Sequence, residues 1–584
     1  AAQAVRMTRG AARARVPERL TAWVRLDFTG IAVAALFFCL SLTPSLLPRD
    51  WLNAGFIGGI NAAIGYGIGV PVGAVTRRLV LQGRPWWPLS PRNRYLLVGV
   101  VVGVSIGASV LMIVPAAAWQ REVADLMGIE GPATVGYLRT LLVALLTGGA
   151  IVATVRLLIG TVRTLARLMI RRWQVDDEVA MFIGTAIVVV VVVTLVNGVL
   201  LRGFLAGASA VFQPQNSSTR AGVEQPLNPE RSGSPDSFAA WDTLGFQGRN
   251  FVGTGPTAAD LAELSGRPAK EPIRIYAGLQ SAATVGERVA VLLSELQRTR
   301  AFDRRLLVIL PTTGTGWVDP VAARAIEAMY DGDTALVAMQ YSYLPSWISF
   351  LADRQKSVQA GRAMVEAVHQ RWLQWPVERR PKLALYGESL GSMAGQGAFG
   401  YLHDIIGMDF SSVLWVGPPN ESTLWRALTE RRDPGTPEVQ PRYDNGRTVR
   451  FTQSSSTAEI AAVAAPPWQE PRVLFMQHAS DPVVWWSPDL LFRRPDWLSE
   501  PPGLDRSPSM RWYPIVTFWQ VSADMAGNVT SSARVPAGHG HKYGDRQLDG
   551  WVAVAAPEGW TPFDTDRVRR WLEKTMSAGG PEFG

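Results

Sequence analysis

KLALYGESLGSMAGQGAFGYL (382–402) decides the fold of the C-terminal part of this chain. An apolar run, KLALY, ends at Gly387-Glu388-Ser389-Leu390-Gly391, and the residues after it suit a helix. A serine between glycines, after a strand and before a helix, is the pattern of a nucleophile elbow. The turn is sharp, so the flanking glycines let helix and strand pass close together. The helix start supplies unbonded N–H groups and the positive end of a dipole.

Working outward, apolar runs of strand length alternate with helix-compatible stretches. The predicted strands are 273–280, 305–311, 334–342, 382–387, 412–417, 472–478 and 513–521. Helices are expected over 287–296, near VAARAIEAMY and over 352–374. Apolar strands separated by helices predict an α/β domain, a mostly parallel sheet covered by helices on both faces, over 271–578. GGPEFG at the end is set aside from the fold.

A serine at neutral pH needs a base. The chain has five histidines. His369 and His403 fall on the helices before and after the elbow, and His478 ends a strand. His539 and His541 lie in the Gly-rich VPAGHGHKYG, after both nucleophile and acid in chain order. The two are equivalent on sequence grounds. Asp481, just beyond a buried strand in FMQHASDPVVWW, is the acid expected to orient the imidazole; Asp489 and Asp444 are the alternatives. For the oxyanion hole, Leu390 N–H follows the nucleophile, and the backbone of Thr313 in LPTTGTGWVDP (310–320) is the second expected donor, with Thr312 and Gly314 beside it. Glu388, Tyr343 in the aromatic YSYLPSWISFLADR (341–354), and Asn420 in WVGPPN are candidate substrate contacts. GRNFVGTGP (248–256) reads as a turn or a binding loop.

The N-terminal 204 residues have another character. The 584-residue chain is too long for one core, and 47% of it is hydrophobic against 18% charged. Five apolar runs near 28–47, 54–75, 95–118, 138–160 and 179–201 are expected to cross a bilayer. The second is rich in glycine, which suits close helix packing. Of the net charge of +8, residues 1–204 hold +11, from 20 Arg against 9 acidic groups. The arginines gather in the N-terminal tail (Arg6, Arg9, Arg13, Arg15, Arg19, Arg25), after the second run (Arg77, Arg78, Arg84, Arg92, Arg94) and after the fourth (Arg163, Arg167, Arg171, Arg172). The positive-inside rule then predicts a cytoplasmic N-terminus and, after five crossings, an extracytoplasmic C-terminal domain. Residues 205–270 read as a polar connector.

These features exclude several classes. The basic surplus lies with the apolar runs, which argues against nucleic-acid binding. No nucleotide fingerprint follows a suitable strand. No metal site and no cofactor are predicted, and Cys39 is the single cysteine. The apolar runs carry no chain of ionisable groups such as a proton-coupled transporter uses.

With PTTGTGWVDP, QYSYLPSW, GESLGS, HASDPVVWW and PAGHGHKYG behind a multi-span N-terminal half, nearly the whole chain resembles an actinobacterial membrane-anchored α/β-hydrolase family. The resemblance implies a serine hydrolase of the cell envelope with a Ser-His-Asp triad. The expected function is a membrane-bound serine esterase or acyltransferase acting on a membrane lipid or lipid-linked glycan ester. The alternative is a non-enzymatic membrane scaffold with a hydrolase-like domain.

Overall fold

The computed structural model describes residues 27–81, 90–345, 348–350, 353–453, 456–462, 466–530 and 535–578. The N-terminal arginine tail, Arg84, Ser346 and Trp347 of the aromatic segment, and GGPEFG lie outside the described residues.

Seven strands form one sheet: β1 (Ile273–Ala277), β2 (Leu306–Pro311), β3 (Thr334–Met339), β4 (Lys382–Glu388), β5 (Ser412–Val416), β6 (Val449–Thr452) and β7 (Arg472–Met476). They pair in the order β1-β3-β2-β4-β5-β7-β6, every pair parallel. All parallel strands need crossovers, and the crossover helices bury both faces. Leu292, Leu296, Met364, Val365 and Val368 cover one face. Ile326, Leu548, Trp551, Val552 and Leu572 cover the other. The strand carrying the elbow, β4, sits at the centre.

Two readings of the α/β region change. The segment 513–521 is not a strand: Val516–Thr530 is a helix. A short run of β-branched and aromatic residues does not separate a buried strand from a buried helix. Strand β6, four residues long, carried no readable signal. GRNFVGTGP forms the end of the helix Gly245–Gly253 rather than a free loop.

The five expected crossings also change. Among the described residues, four helices are long and apolar enough to cross a membrane: Trp51–Leu79, Tyr95–Leu126, Thr134–Trp173 and Asp177–Ser217. The first run instead gives a helix of 14 residues, Phe28–Ser41, about 21 Å long at 1.5 Å per residue. It stops because Pro44 and Pro48 cannot continue the ladder. Ser41 and Thr43 also turn their hydroxyls back onto the carbonyls of Phe38 and Leu40. The apolar residues beyond it, Leu46 and Leu47, are buried in the sheet's own core.

Polar contacts fasten the two halves together. Arg49 Nε lies 2.8 Å from Asp524 Oδ1, both side chains buried. Ser45 Oγ and Leu46 N–H also donate to Asp524. Gln520 Nε2 donates to the carbonyls of Ser41 and Thr43, and Ser507 Oγ donates to Glu122. The α/β domain therefore meets the start of Trp51–Leu79 and the end of Tyr95–Leu126. The end of Asp177–Ser217 meets it too, through Gln340 Nε2 donating to Asn216. Arg77 and Arg78, and Arg171 and Arg172, lie at the opposite helix ends. Asp27, at the start of the short helix, pairs with Arg77 at 2.9 Å.

The glycines of Trp51–Leu79 serve close approach. A Cβ on Gly59 would stand 2.6 Å from Thr147, and one on Gly69 would stand 2.7 Å from the Thr29 carbonyl. Large apolar side chains elsewhere on these helices face outward, Val104, Leu145, Phe182 and Val190 among them.

Beyond Ser217 the polar segment is ordered. Arg231 bridges in parallel to Arg274 of edge strand β1. Its buried guanidinium meets Glu271 at 2.8 Å and donates to the carbonyls of Val252 and Pro256.

Candidate active site

Ser389 stands between β4 and the helix Leu390–Gln396 at φ 54°, ψ −126°, a conformation that costs an ordinary residue of order 1–3 kcal/mol and is held only by its surroundings. The surroundings need glycine on both sides. A Cβ on Gly387 would lie 2.6 Å from the Gly391 carbonyl, and one on Gly391 would lie 2.3 Å from that of Pro311. Ser389 N–H donates to Val416 O of β5 at 2.9 Å.

At the same carboxyl edge of the sheet, Asp481 follows β7 and caps the short helix Pro482–Trp485. It is fully buried. Oδ1 accepts Val483 N–H at 2.8 Å, and Oδ2 accepts Tyr543 Oη–H at 2.7 Å. His541 Nδ1 lies 2.7 Å from the same Oδ2. With its Nδ1–H donating to the carboxylate, the imidazole presents Nε2 as a free acceptor. That Nε2 is buried with no partner among the described residues. The ring stands at the end of β5, the neighbour of the nucleophile strand: a Cβ on Gly417, the residue after Val416, would lie 2.6 Å from His541 Cε1. Gly417 is thus the space into which the imidazole fits.

Of the two histidines left equivalent by sequence, His541 is the one against Asp481. His539 Nδ1 lies 3.1 Å from Asp505 instead. Tyr543, which shares Asp481 Oδ2 with His541, was not among the expected site residues. Its only hint was the H-x-Y-G spacing, which puts imidazole and phenol on one side of an extended segment. Burial and the charge of Asp481 hold the Tyr543 hydroxyl well above its ordinary range, so it stays a donor.

The model of an alpha/beta-hydrolase family matches residues 273–568, and the model of that family's N-terminal region matches residues 42–256. The chain belongs to the alpha/beta-hydrolase family. Neither a curated protein nor a solved structure matches it.

The remaining expectations for this α/β-hydrolase fall in two groups. Near Ser389, Leu390 is the first residue of its helix, so its N–H has no partner one turn back. Thr313 N–H is already used, donating to Trp317 O at 3.2 Å. The Thr313 hydroxyl is buried and without a partner among the described residues. Thr312 Oγ1 donates to Met339 O at 2.8 Å. Gly314 packs against Leu344 and Ser349. The 311–312 backbone touches Gly391, so this loop borders the elbow.

The second group is turned to structural contacts or is only half-buried. Asn420 Nδ2 donates to Val484 O at 3.0 Å, tying the loop after β5 to the helix that Asp481 caps. Tyr343 is half-buried. Glu388 faces back under the sheet, where Tyr386 Oη lies 3.0 Å from its Oε2 and 2.5 Å from Gln547 Oε1. Burial, reinforced by Asp319, pushes the Glu388 carboxyl well above its usual range. Asp489 lies in a short 3-10 turn and Asp444 in another, neither against a histidine. His478 is buried, stacked on Tyr543 with ring centres 4.2 Å apart, and burial lowers its pKa, which keeps it neutral. His369 stacks on Trp372 and Phe410.

A roof that sequence did not foresee covers the elbow. Leu390, Met393 and Phe350 form a buried apolar group packed with Trp486 and Met525. Met525 belongs to the helix Val516–Thr530, whose Ser522 accepts Trp486 Nε1–H at 2.8 Å.

Proposed function

We propose that this α/β-hydrolase is a membrane-bound serine enzyme that cleaves or transfers acyl groups of lipid or glycan esters. Ser389 is the nucleophile, His541 the base and Asp481 the group that orients and stabilises the imidazolium. The observation that carries this reading is the Asp481–His541 contact, with an unpartnered Nε2 on a ring packed at Gly417, next to the Val416 carbonyl that holds the strained Ser389.

In the first half-reaction Ser389 Oγ gives its proton to His541 Nε2 and bonds to the ester carbonyl carbon. The tetrahedral adduct expels the alcohol, which takes that proton, leaving an acyl-serine. Water or an acceptor hydroxyl then repeats the steps in reverse. Leu390 N–H supports the developing oxyanion, helped by the Thr313 hydroxyl, since the Thr313 N–H is occupied. No cofactor takes part. The four long apolar helices anchor the enzyme, and their exposed apolar side chains suit lipid contact. The arginine-rich helix ends face the cytoplasm and the catalytic domain lies on the other side of the membrane.

Labelling with a fluorophosphonate probe in membranes tests the mechanism. Wild type is expected to label and Ser389→Ala to lose labelling entirely. Asp481→Asn is expected to slow it by about 10³–10⁴-fold, because the wrong imidazole tautomer is then favoured. Equal labelling of wild type and Ser389→Ala refutes the assignment.

A further inference from the structure

The turn that carries His541 holds a second histidine with an aspartate of its own. Asp505 Oδ2 lies 3.1 Å from His539 Nδ1. The same carboxylate is buried and accepts Ser480 N–H at 3.0 Å together with the Ser480 hydroxyl. Despite burial, which works the other way, the hydrogen bonds from His539 and Ser480 and the nearby His478 hold Asp505 below the usual carboxylate range. It is ionised at neutral pH, so His539 keeps its Nδ1 proton and offers Nε2 as an acceptor.

The two pairs are built as one unit. Ser480 and Asp481 are consecutive. Gly540, between the histidines, donates its N–H to Ser480 Oγ at 2.8 Å, and its carbonyl meets His478 Nδ1 at 2.8 Å. The His539 side chain is 21% exposed and that of His541 14%, and the Nε2 of His541 is buried. Turn closure does not need the His539 ring. Gly538 N–H donates to Lys542 O at 2.6 Å, Lys542 N–H to His539 O at 3.2 Å, and Lys542 Nζ to Val535 O.

Hydrolysis needs one base for one water, so a second aspartate-held imidazole is surplus to it. We propose that His539, oriented by Asp505, is an acceptor-binding residue that accepts a hydrogen bond from one hydroxyl of a polyhydroxylated acceptor while a neighbouring hydroxyl attacks the acyl-serine. The acceptor is a sugar or a glycerol-type headgroup, whose shared chemistry is the vicinal diol. This deepens the serine mechanism above and rests on it. In the transfer step His541 Nε2 takes the proton of the attacking hydroxyl, whose oxygen bonds to the acyl carbon. The adduct then breaks its bond to Ser389 Oγ, which takes that proton back. His539 undergoes no net change.

The test is a competition. Full-length enzyme in detergent is given a p-nitrophenyl ester with equal concentrations of ethanol and glycerol, and in a second arm ethanol and glucose. The ratio of polyol ester to ethyl ester is read by mass spectrometry. Ethanol has no second hydroxyl for His539, so wild type is expected to favour the polyol. His539→Ala and Asp505→Asn are each expected to lower that ratio about tenfold, as loss of one hydrogen bond implies. The arm with the larger wild-type ratio tells a sugar from a glycerol headgroup. A purely structural role scales both esters alike, so an unchanged ratio in the variants overturns the proposal. A wild type that releases p-nitrophenol yet shows no polyol preference in either arm overturns the acceptor site alone. A wild type that releases no p-nitrophenol overturns the serine mechanism and the acceptor site with it.

Discussion

At Thr313 the expected backbone donor is already occupied, and the proposed oxyanion contact passes to the side chain. Its N–H is committed to Trp317 O, while its hydroxyl is buried without a partner among the described residues, in the loop whose 311–312 backbone touches Gly391. Thr313→Val keeps the shape and removes the donor. We expect kcat to fall about 10²-fold, the usual effect of losing one oxyanion donor, with Thr313→Ser retaining most activity. Behind Ser389, Asp319 has its pKa raised to about 6, chiefly by burial. The folded state therefore holds this proton more tightly than the unfolded chain. The Asp319 contribution to stability is full below about pH 4, is lost as pH rises towards 6 and is absent above it. A shift of this size corresponds to about 3 kcal/mol. Thermal unfolding of wild type and Asp319→Asn between pH 4 and pH 8 checks this, the slope flattening in the variant. At this scale the position of Ser389 was legible, because an elbow is local and its glycines are adjacent in sequence. The choice between His539 and His541 was not. Two residues apart, they look alike until Asp481 and Asp505 arrive from elsewhere in the chain.

The helix Val516–Thr530 joins the two halves. Asp524 and Gln520 hold the segment 41–49, while Met525 and Ser522 meet the residues over the elbow. Removing one member of a buried ion pair strands the other. Asp524→Ala should thus destabilise the protein by roughly 3–5 kcal/mol, seen as a lowered Tm in detergent. An Arg49→Asp, Asp524→Arg double exchange should recover part of the loss. This helix was misread as a strand because its apolar residues are turned towards partners on two sides, which erases helical periodicity. The short helix Phe28–Ser41 was read too long for a related reason: Leu46 and Leu47 are apolar because a protein core buries them, not because lipid does. Hydropathy alone does not separate those two environments.

For the whole molecule, the arrangement of helix ends makes a sidedness prediction. The α/β domain adjoins one set of ends and the arginines adjoin the other. Cys39 is the sole cysteine, so a Cys39→Ala background permits single-site labelling. Gln174→Cys, at the arginine side, is expected to react with an impermeant maleimide only after the cells are opened. Asp236→Cys, exposed on the segment packed against β1 of the α/β domain, should react in intact cells. Reversed labelling would place the active domain inside. By itself, the sequence determined the alternation of strands and helices, the elbow at Ser389 and the presence of a long apolar N-terminal half. Each of these is written in periodicity, composition or a local motif. Only the tertiary structure decided which histidine meets Asp481, that Thr313 has its N–H occupied, that the described residues of the apolar half form four long helices and one short one, and that Leu46 and Leu47 belong to the α/β domain's core. Those outcomes rest on contacts between residues up to several hundred positions apart, and burial among such partners leaves no local pattern to read.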